Sequence, residues 1–385
     1  MCSVNVFARE TLAMDDHVAG GGVIGCSIAY YLSKRGVGPR TTVIEAVDVA
    51  HAASGKAGGF LARSWCDSGA SADLAKLSFD LHAQLADDLG NPAEYRRVDT
   101  LGLRARVATP DAPAARSSGK PRRVSGDPDG TLSVPEWIDA PGARSFSFMG
   151  SAAADSANPT AQVTPHALTH ALLNAATAAG CMLVKGTVID VLKDTSAASG
   201  KPRVVGVALQ DGRVIDAAAV VIAMGPWSSH ASEWLPGLHP VRGIRAHSIT
   251  LRPQDDVILS HALFVDVVDV DGSHCDPEVY PRPSGEVYIC GNGGICDTEP
   301  VPAHPKDVAF DPAVTASLHR LACAIASRFG TDASVLEKQQ ACFLPTTLHT
   351  AEADTPIIGR IESTTGAFVA TGHRYVLTNL CCYWL

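Results

Sequence analysis

The sequence predicts an α/β chain in two parts: a βαβ half built on a parallel sheet, and a second part made mainly of antiparallel strands. Three observations carry this prediction. A short apolar stretch runs into a glycine-rich turn at 20–25 and then into a helical pattern. A β-branched strand, Thr41-Thr42-Val43-Ile44, returns and ends on Glu45. Beyond Gly225-Pro226-Trp227 the apolar runs become short and alternating, as antiparallel strands do.

The elements follow in order. Cys26 to Arg35 has helical spacing, and Gly36 stops it. Ala72 to Leu89 predicts an amphipathic helix with Leu74, Leu77, Leu81 and Leu85 on one side, ended by Gly90-Asn91-Pro92. A strand is expected over Thr100 to Val107. Residues 109–131 are rich in Pro, Gly, Ser and Arg without periodicity, which predicts a surface excursion. Thr164 is expected to cap a helix that opens on Pro165 and closes at Gly180. Strands are expected at 182–185, 188–192, 204–209, 218–223, 246–251, 286–290 and 367–370, with a helix over 314–329.

Composition bounds the function. At 385 residues, with 46% hydrophobic and 18% charged side chains, the chain can bury a large core. The net charge is −9, and the densest basic patch, Lys120 to Arg123, lies among Pro, Gly and Ser, so a nucleic-acid partner is not expected. Eleven cysteines show no CxxC spacing, which predicts reduced thiols and no metal. No secretory pattern opens the chain and no apolar run reaches the roughly 18–20 residues that span a bilayer. The expectation is a soluble intracellular protein without a membrane span.

The chemistry is carried by the early glycines. Gly20, Gly22 and Gly25 fit G-x-G-x-x-G: the first permits a tight turn, the second lets the backbone approach a pyrophosphate, and the third lets the helix pack on the sheet. The helix N-terminus then offers N–H groups to an anion. Glu45 falls where a carboxylate accepts hydrogen bonds from ribose hydroxyls, which disfavours a 2′-phosphate. This spacing predicts a Rossmann-type dinucleotide site but leaves FAD and NAD open. The next segment, Ala52 to Ala62, is a run of small residues where an NAD domain would enter its next helix. Small residues let backbone approach a large flat ring, which favours FAD.

Four stretches together resemble the glycine/D-amino-acid oxidase (DAO) superfamily of flavoproteins. They are the glycine fingerprint; Ser54-Gly55-Lys56-Ala57-Gly58-Gly59-Phe60-Leu61-Ala62; Val220 to Ser228; and Pro356-Ile357-Ile358-Gly359 followed by Ala370-Thr371-Gly372-His373. The second stretch is similar to a eukaryotic branch of FAD-dependent oxidoreductases. The resemblance implies a discontinuous FAD-binding domain (17–90, 150–228 and 340–385) and a mainly antiparallel, DAO-like substrate domain (91–149 and 229–339). It implies that Gly20, Gly22, Gly25 and Glu45 bind the ADP half, and that Ser54, Gly58 and Gly59 approach the pyrophosphate and flavin. Val188 would meet the adenine through its backbone, the alternative being an ordinary strand residue; Gly225 and Gly372 would line the flavin side. Some relatives attach flavin through a histidine near the small-residue loop. The matching position here is Lys56, so FAD is expected to be non-covalent, with His51 a surface residue.

The activity implied is oxidation of a C–N bond in a small amine or amino acid, with hydride transfer to flavin N5. No nucleophile or triad is required. An amino-acid substrate calls for an arginine clamp on its carboxylate. Several oxidases place one before a late proline, where this chain has Leu344 before Pro345. Arg282 is the remaining candidate, the alternative being an exposed turn arginine; Tyr280 would wall the pocket or belong to the core. Two departures stand out. Asp15 and Asp16 occupy the apolar first strand, and the residues after His373 lack the family's glycine-rich turn. These predict weakened FAD binding, and leave a non-catalytic binding protein as the alternative function.

Overall fold

The strand Asp16–Ala19 lies at the centre of a parallel sheet, between Thr41–Glu45 and Ala219–Ile222. In the computed structural model the described residues are 15–69, 71–107, 123–128, 130, 132–139, 142–153, 155–196, 200–255, 257–291, 300–347 and 355–373. Over these residues the sheet has six strands, in the order 357–360, 367–371, 219–222, 16–19, 41–45 and 182–185; only the first pairs antiparallel. The chain leaves the central strand to one side and returns to its other side, which makes its carboxyl end a topological switch point. The two acids do not prevent the strand. Asp16 opens it with its carboxyl pushed up by burial, and the buried His17 ring bonds the Asp216 carbonyl at 3.0 Å.

Strand alternation separates two cores. Val18, Val43, Val221 and Ala370 face helices Val23–Lys34 and Pro165–Ala178, burying Ile28, Leu168 and Leu172. Ala19, Ile44, Val220 and Ile222 face the antiparallel strands Val188–Asp194 and Arg203–Leu209. Each fully buried side chain of this size contributes roughly 1.5–3 kcal/mol. The helix Ala72–Leu89 spans the expected residues, and Leu81 and Leu85 are buried as expected, but the buried stripe is completed by Ala75, Ser78, Phe79, His82 and Ala86. Leu77 is exposed, because Phe79 fixes the inward face half a turn away. Thr164 stands at the N-terminus of the Pro165–Ala178 helix, yet its hydroxyl donates to Glu94 Oε2 at 2.6 Å and caps no backbone group.

A nine-stranded, mostly antiparallel sheet forms the second part, in the order 334–347, 241–253, 287–290, 278–281, 262–268, 100–106, 143–150 and 124–125, with 274–275 beside 262–268. Its parallel pairs are 262–268 with 100–106 and 124–125 with 143–150. The helix Pro312–Cys323 and Phe329 cover one face through Leu318 and Leu321. Two expectations shift here. The strand Val124–Ser125 falls within the segment expected to hold no element. The expected division at 340 cuts the continuous strand Ser334–Thr347. Lys120 and the stretch after His373 lie outside the described residues. No helix among the described residues is long and apolar enough to cross a membrane.

Candidate functional site

The glycine turn begins where the central strand ends. Gly20 has φ +116°, and a Cβ there would stand 2.3 Å from the Ala223 carbonyl oxygen. A Cβ on Gly25 would meet the Gly20 oxygen at 1.9 Å, so this residue is what lets the helix Val23–Lys34 close on the strand. Gly22 precedes that helix in extended backbone, and its Cβ would point at Ser54 Oγ, 3.0 Å away. Ser54 Oγ accepts the Val23 N–H at 2.9 Å, which ties the small-residue segment to the helix N-terminus.

Glu45 closes the next strand. Its Oε2 accepts from Gly21 N–H at 2.6 Å and its Oε1 from Val47 N–H at 2.9 Å. A carboxylate has about four acceptor directions, so two amide bonds orient it and leave capacity for ribose hydroxyls.

The segment after Glu45 departs from a plain loop. Ala53–Lys56 makes one helical turn and Phe60–Ala62 a short strand. Glycine at 58 and 59 answers protein contacts as well as the open space beside it. A Cβ on Gly58 would stand 2.5 Å from the Tyr280 ring, and Gly59, at φ +86°, would meet the Val163 oxygen at 2.0 Å. The segment is held by the second sheet through Lys56 Nζ to the Ala341 carbonyl (3.0 Å), Tyr288 hydroxyl to the Lys56 carbonyl (2.8 Å) and Arg282 Nη2 to the Ala57 carbonyl (3.2 Å).

A single cavity of about 710 Å³ connects these parts. Gly20, Gly22, Glu45, Ser54, Gly58, Gly59, Val188, Gly225 and Tyr280 all line it. Gly25 sits behind the turn. Gly372 is also off the lining, while its neighbours Thr371 and His373 are on it; Thr371 Oγ1 donates to the Gly225 carbonyl at 3.0 Å. Burial pushes the His373 imidazole down to about 3, so the ring is neutral near pH 7.

Other placements differ from expectation. His51 lines the cavity and is half-buried, its ring pushed down by burial and then by Lys56. Arg282 is buried outside the cavity lining, with an ion pair to Glu286 and its guanidinium 5.4 Å from the Tyr288 ring. Lys338 reaches the other oxygen of Glu286 at 3.0 Å. The structure therefore does not bring Arg282 into the space where a substrate would sit. Conversely, Glu278, Tyr288 and Cys290 line the cavity although sequence reasoning passed over them. The signal was the two-residue alternation 278/280 and 288/290 on neighbouring strands, which puts all four on one face. Burial pushes the Tyr280 and Tyr288 hydroxyls and the Cys290 thiol well up.

The cavity suits FAD on observations of its own. Glycine backbone and a helix N-terminus face it at the dinucleotide end, an oriented carboxylate stands beside them, and a long apolar passage leads to an aromatic end. Comparison with known proteins agrees. The family described as "FAD dependent oxidoreductase" (DAO) matches residues 17–380. A Schizosaccharomyces pombe protein named "Putative oxidoreductase C1F5.03c" is 29% identical, over 92% of this chain and 88% of its own. Glycine oxidase from Bacillus cereus superposes with a TM-score of 0.69 at 18% identity, covering 96% of this chain and 93% of that one. Fructosyl amine: oxygen oxidoreductase (Amadoriase I) from Aspergillus fumigatus gives 0.67 at 14% identity, over 98% and 86%. The likenesses to solved structures show a shared fold, a Rossmann-type half with a mainly antiparallel second sheet. The family match covers nearly the whole chain, which therefore belongs to the DAO family of FAD-dependent oxidoreductases, with FAD as its cofactor.

Proposed function

We propose that this enzyme oxidises a C–N bond of a small amine or amino acid, using FAD held without a covalent bond. The observation that carries the reading is the single cavity that runs from the glycine turn and Glu45 to the tyrosine-lined face of the second sheet. The names of two structural neighbours, a glycine oxidase and a fructosyl amine oxidoreductase, support the C–N class.

FAD, when bound, supplies the hydride acceptor. The chain's own residues do the rest. Gly20 and Gly22 would bring backbone amides close to the pyrophosphate, Glu45 would receive ribose hydroxyls, and Val188 would border the adenine end. Ser54, Gly58 and Gly59 would hold the pyrophosphate and flavin, with Gly225 and the 371–373 turn contributing to the flavin side. Tyr280, Tyr288 and Phe60 exclude water from the reacting end; Phe60 and Tyr280 stack with centroids 5.5 Å apart. Lys56 stands where a linking histidine would be, its ammonium engaged by the Ala341 carbonyl. We divide the chain at Thr347, which keeps the strand Ser334–Thr347 whole within the substrate domain.

The test is a flavin spectrum followed by acid precipitation, then anaerobic mixing with a panel of amines and amino acids. The expected result is a yellow protein that releases FAD into the acid supernatant and bleaches with at least one member of the panel. Colour that stays with the precipitate would refute the non-covalent assignment, and a loaded protein that no panel member bleaches would refute the C–N reading.

A further inference from the structure

Asp276 and Glu278 bring two carboxylates to the aromatic end of the cavity, and Glu278 has an oxygen that receives no hydrogen bond among the described residues. Glu278 opens the strand Glu278–Pro281, two residues before Tyr280 on the same face and directly across from Cys290. The Tyr280 hydroxyl donates to Glu278 Oε2 at 2.5 Å and the Cys290 thiol donates to the same oxygen at 3.5 Å. Among the described residues Oε1 receives no hydrogen bond. Glu278 is half-buried and lines the cavity, so Oε1 is the side chain's remaining acceptor toward that space.

The charges around it are one-sided. The groups that act on this carboxyl are Tyr280, Cys290 and Asp276; none is a lysine, arginine or histidine. The flanking strand Ala262–Val268 contributes Phe264, opposite Glu278 in register. Arg282, the clamp candidate, is committed elsewhere, and the cavity-lining Arg245 is engaged through one nitrogen of its guanidinium. Arg282 pairs with Glu286, and Arg245, which lines the cavity, donates to the Ala309 carbonyl at 2.6 Å. A substrate carboxylate beside its nitrogen would meet acids at this end, whereas an ammonium would meet a partner.

Resting on the C–N oxidation reading above, we propose that Glu278 Oε1 receives the ammonium nitrogen of a cationic amine that carries no carboxylate on the adjacent carbon, and takes one proton from it. In that step an N–H bond breaks and an O–H bond forms on Oε1. The electron pair stays on nitrogen as the lone pair that oxidation of the neighbouring C–H requires. Tyr280 and Cys290 hold the acceptor in place through Oε2. Burial raises the Glu278 carboxyl, which brings its proton affinity toward that of the amine it serves.

The experiment uses the FAD-loaded protein, as parent, Glu278→Gln and Glu278→Asp, with loading checked by flavin absorbance. Each is titrated calorimetrically with pentylamine and with norleucine, which is the same amine bearing a carboxylate. The parent is expected to bind pentylamine at least tenfold more tightly than norleucine. Glu278→Gln is expected to lose at least tenfold in pentylamine affinity, and Glu278→Asp to regain part of it. The proposal is overturned if norleucine binds as well as pentylamine, if the parent binds no pentylamine, or if Glu278→Gln binds it within twofold of the parent. Should Glu278→Gln fail to hold FAD, the parent's two titrations and Glu278→Asp decide. Bleaching judges the broader reading separately. Pentylamine bound while no member of the amine and amino-acid panel bleaches the flavin leaves the ammonium site standing and removes C–N oxidation; bleaching by norleucine alone keeps oxidation and removes the site.

Discussion

Alanine at Gly20 and alanine at Gly22 are chemically the same change two residues apart, and the structure separates their consequences. At Gly20 the backbone sits at φ +116°, where a side chain costs on the order of 1–3 kcal/mol in strain. The added Cβ would lie 2.3 Å from the Ala223 oxygen, so the strands must open by about 1 Å to reach ordinary contact. That opening disturbs the Ala223 N–H to Ala19 carbonyl bond of 2.9 Å, worth roughly 1 kcal/mol net. The expected loss for Gly20→Ala is about 2–4 kcal/mol. At Gly22, φ −76° suits any residue, and the Cβ meets only Ser54 Oγ at 3.0 Å, which must give by a few tenths of an ångström. Removing glycine's freedom in the unfolded chain returns roughly 0.4–1 kcal/mol. Apoprotein stability should therefore stay within about 1 kcal/mol of the parent, while FAD affinity falls tenfold or more, about 1.4 kcal/mol, because the methyl occupies the approach to the pyrophosphate. Urea unfolding of the apoproteins and flavin-absorbance titration read the two effects. A Gly22→Ala protein that binds FAD like the parent would refute this account of the turn.

Two further outcomes follow from buried charges. Arg282→Met leaves Glu286 buried with only Lys338 for a partner, so unfolding stability should drop by about 3 kcal/mol and Glu286→Leu added to it should recover most of the loss; unchanged urea midpoints in the single variant would show the pair to be inert. His373 is neutral in the fold down to about pH 3, while in the unfolded chain it takes a proton below about 6.5. The unfolded state thus binds more protons in that window. Stability present above pH 6.5 is lost as pH falls toward 3, by up to about 1.4 kcal/mol per pH unit. His373→Gln should flatten this slope in urea unfolding at pH 7, 5.5 and 4.5, and parallel slopes would sink the assignment.

The parts of the site that sequence reveals are those whose cause is local. Gly20, Gly22 and Gly25 answer to a strand-to-helix turn contained within residues 20–25, so spacing identifies them. The Ala53–Lys56 turn was missed because four small or flexible residues have no apolar periodicity. The strand Val241–Pro253 is more than twice the length of the expected 246–251: its pairing with Ser334–Thr347 runs along the whole strand, while consecutive burial over 247–251 leaves no two-residue alternation from which to read its bounds. The expected helix over 314–329 begins instead at Pro312, where the Asp311 carboxylate caps Ala313 N–H at 2.8 Å; that Asp-Pro signal was legible and unread. It stops at Cys323, and Ser327–Phe329 adds a separate short turn. Arg282 and Glu278 could not be sorted in advance. Which of them faces the cavity depends on how 278–281 and 287–290 pair, and the turn through Glu286 captures the arginine.

The three bonds from the second sheet to residues 56 and 57 have a consequence for how this enzyme matures. On the cofactor site proposed above, the wall at residues 56 and 57 is not held by the dinucleotide-binding half alone: Lys56 reaches out to the second sheet, and Tyr288 and Arg282 reach in from it. An isolated nucleotide-binding half would keep the glycine turn and the oriented Glu45 and leave that wall unbuttressed. On that reading cofactor capture waits on the substrate sheet, and damage far out on that sheet is expected to surface first as a protein that has lost its colour.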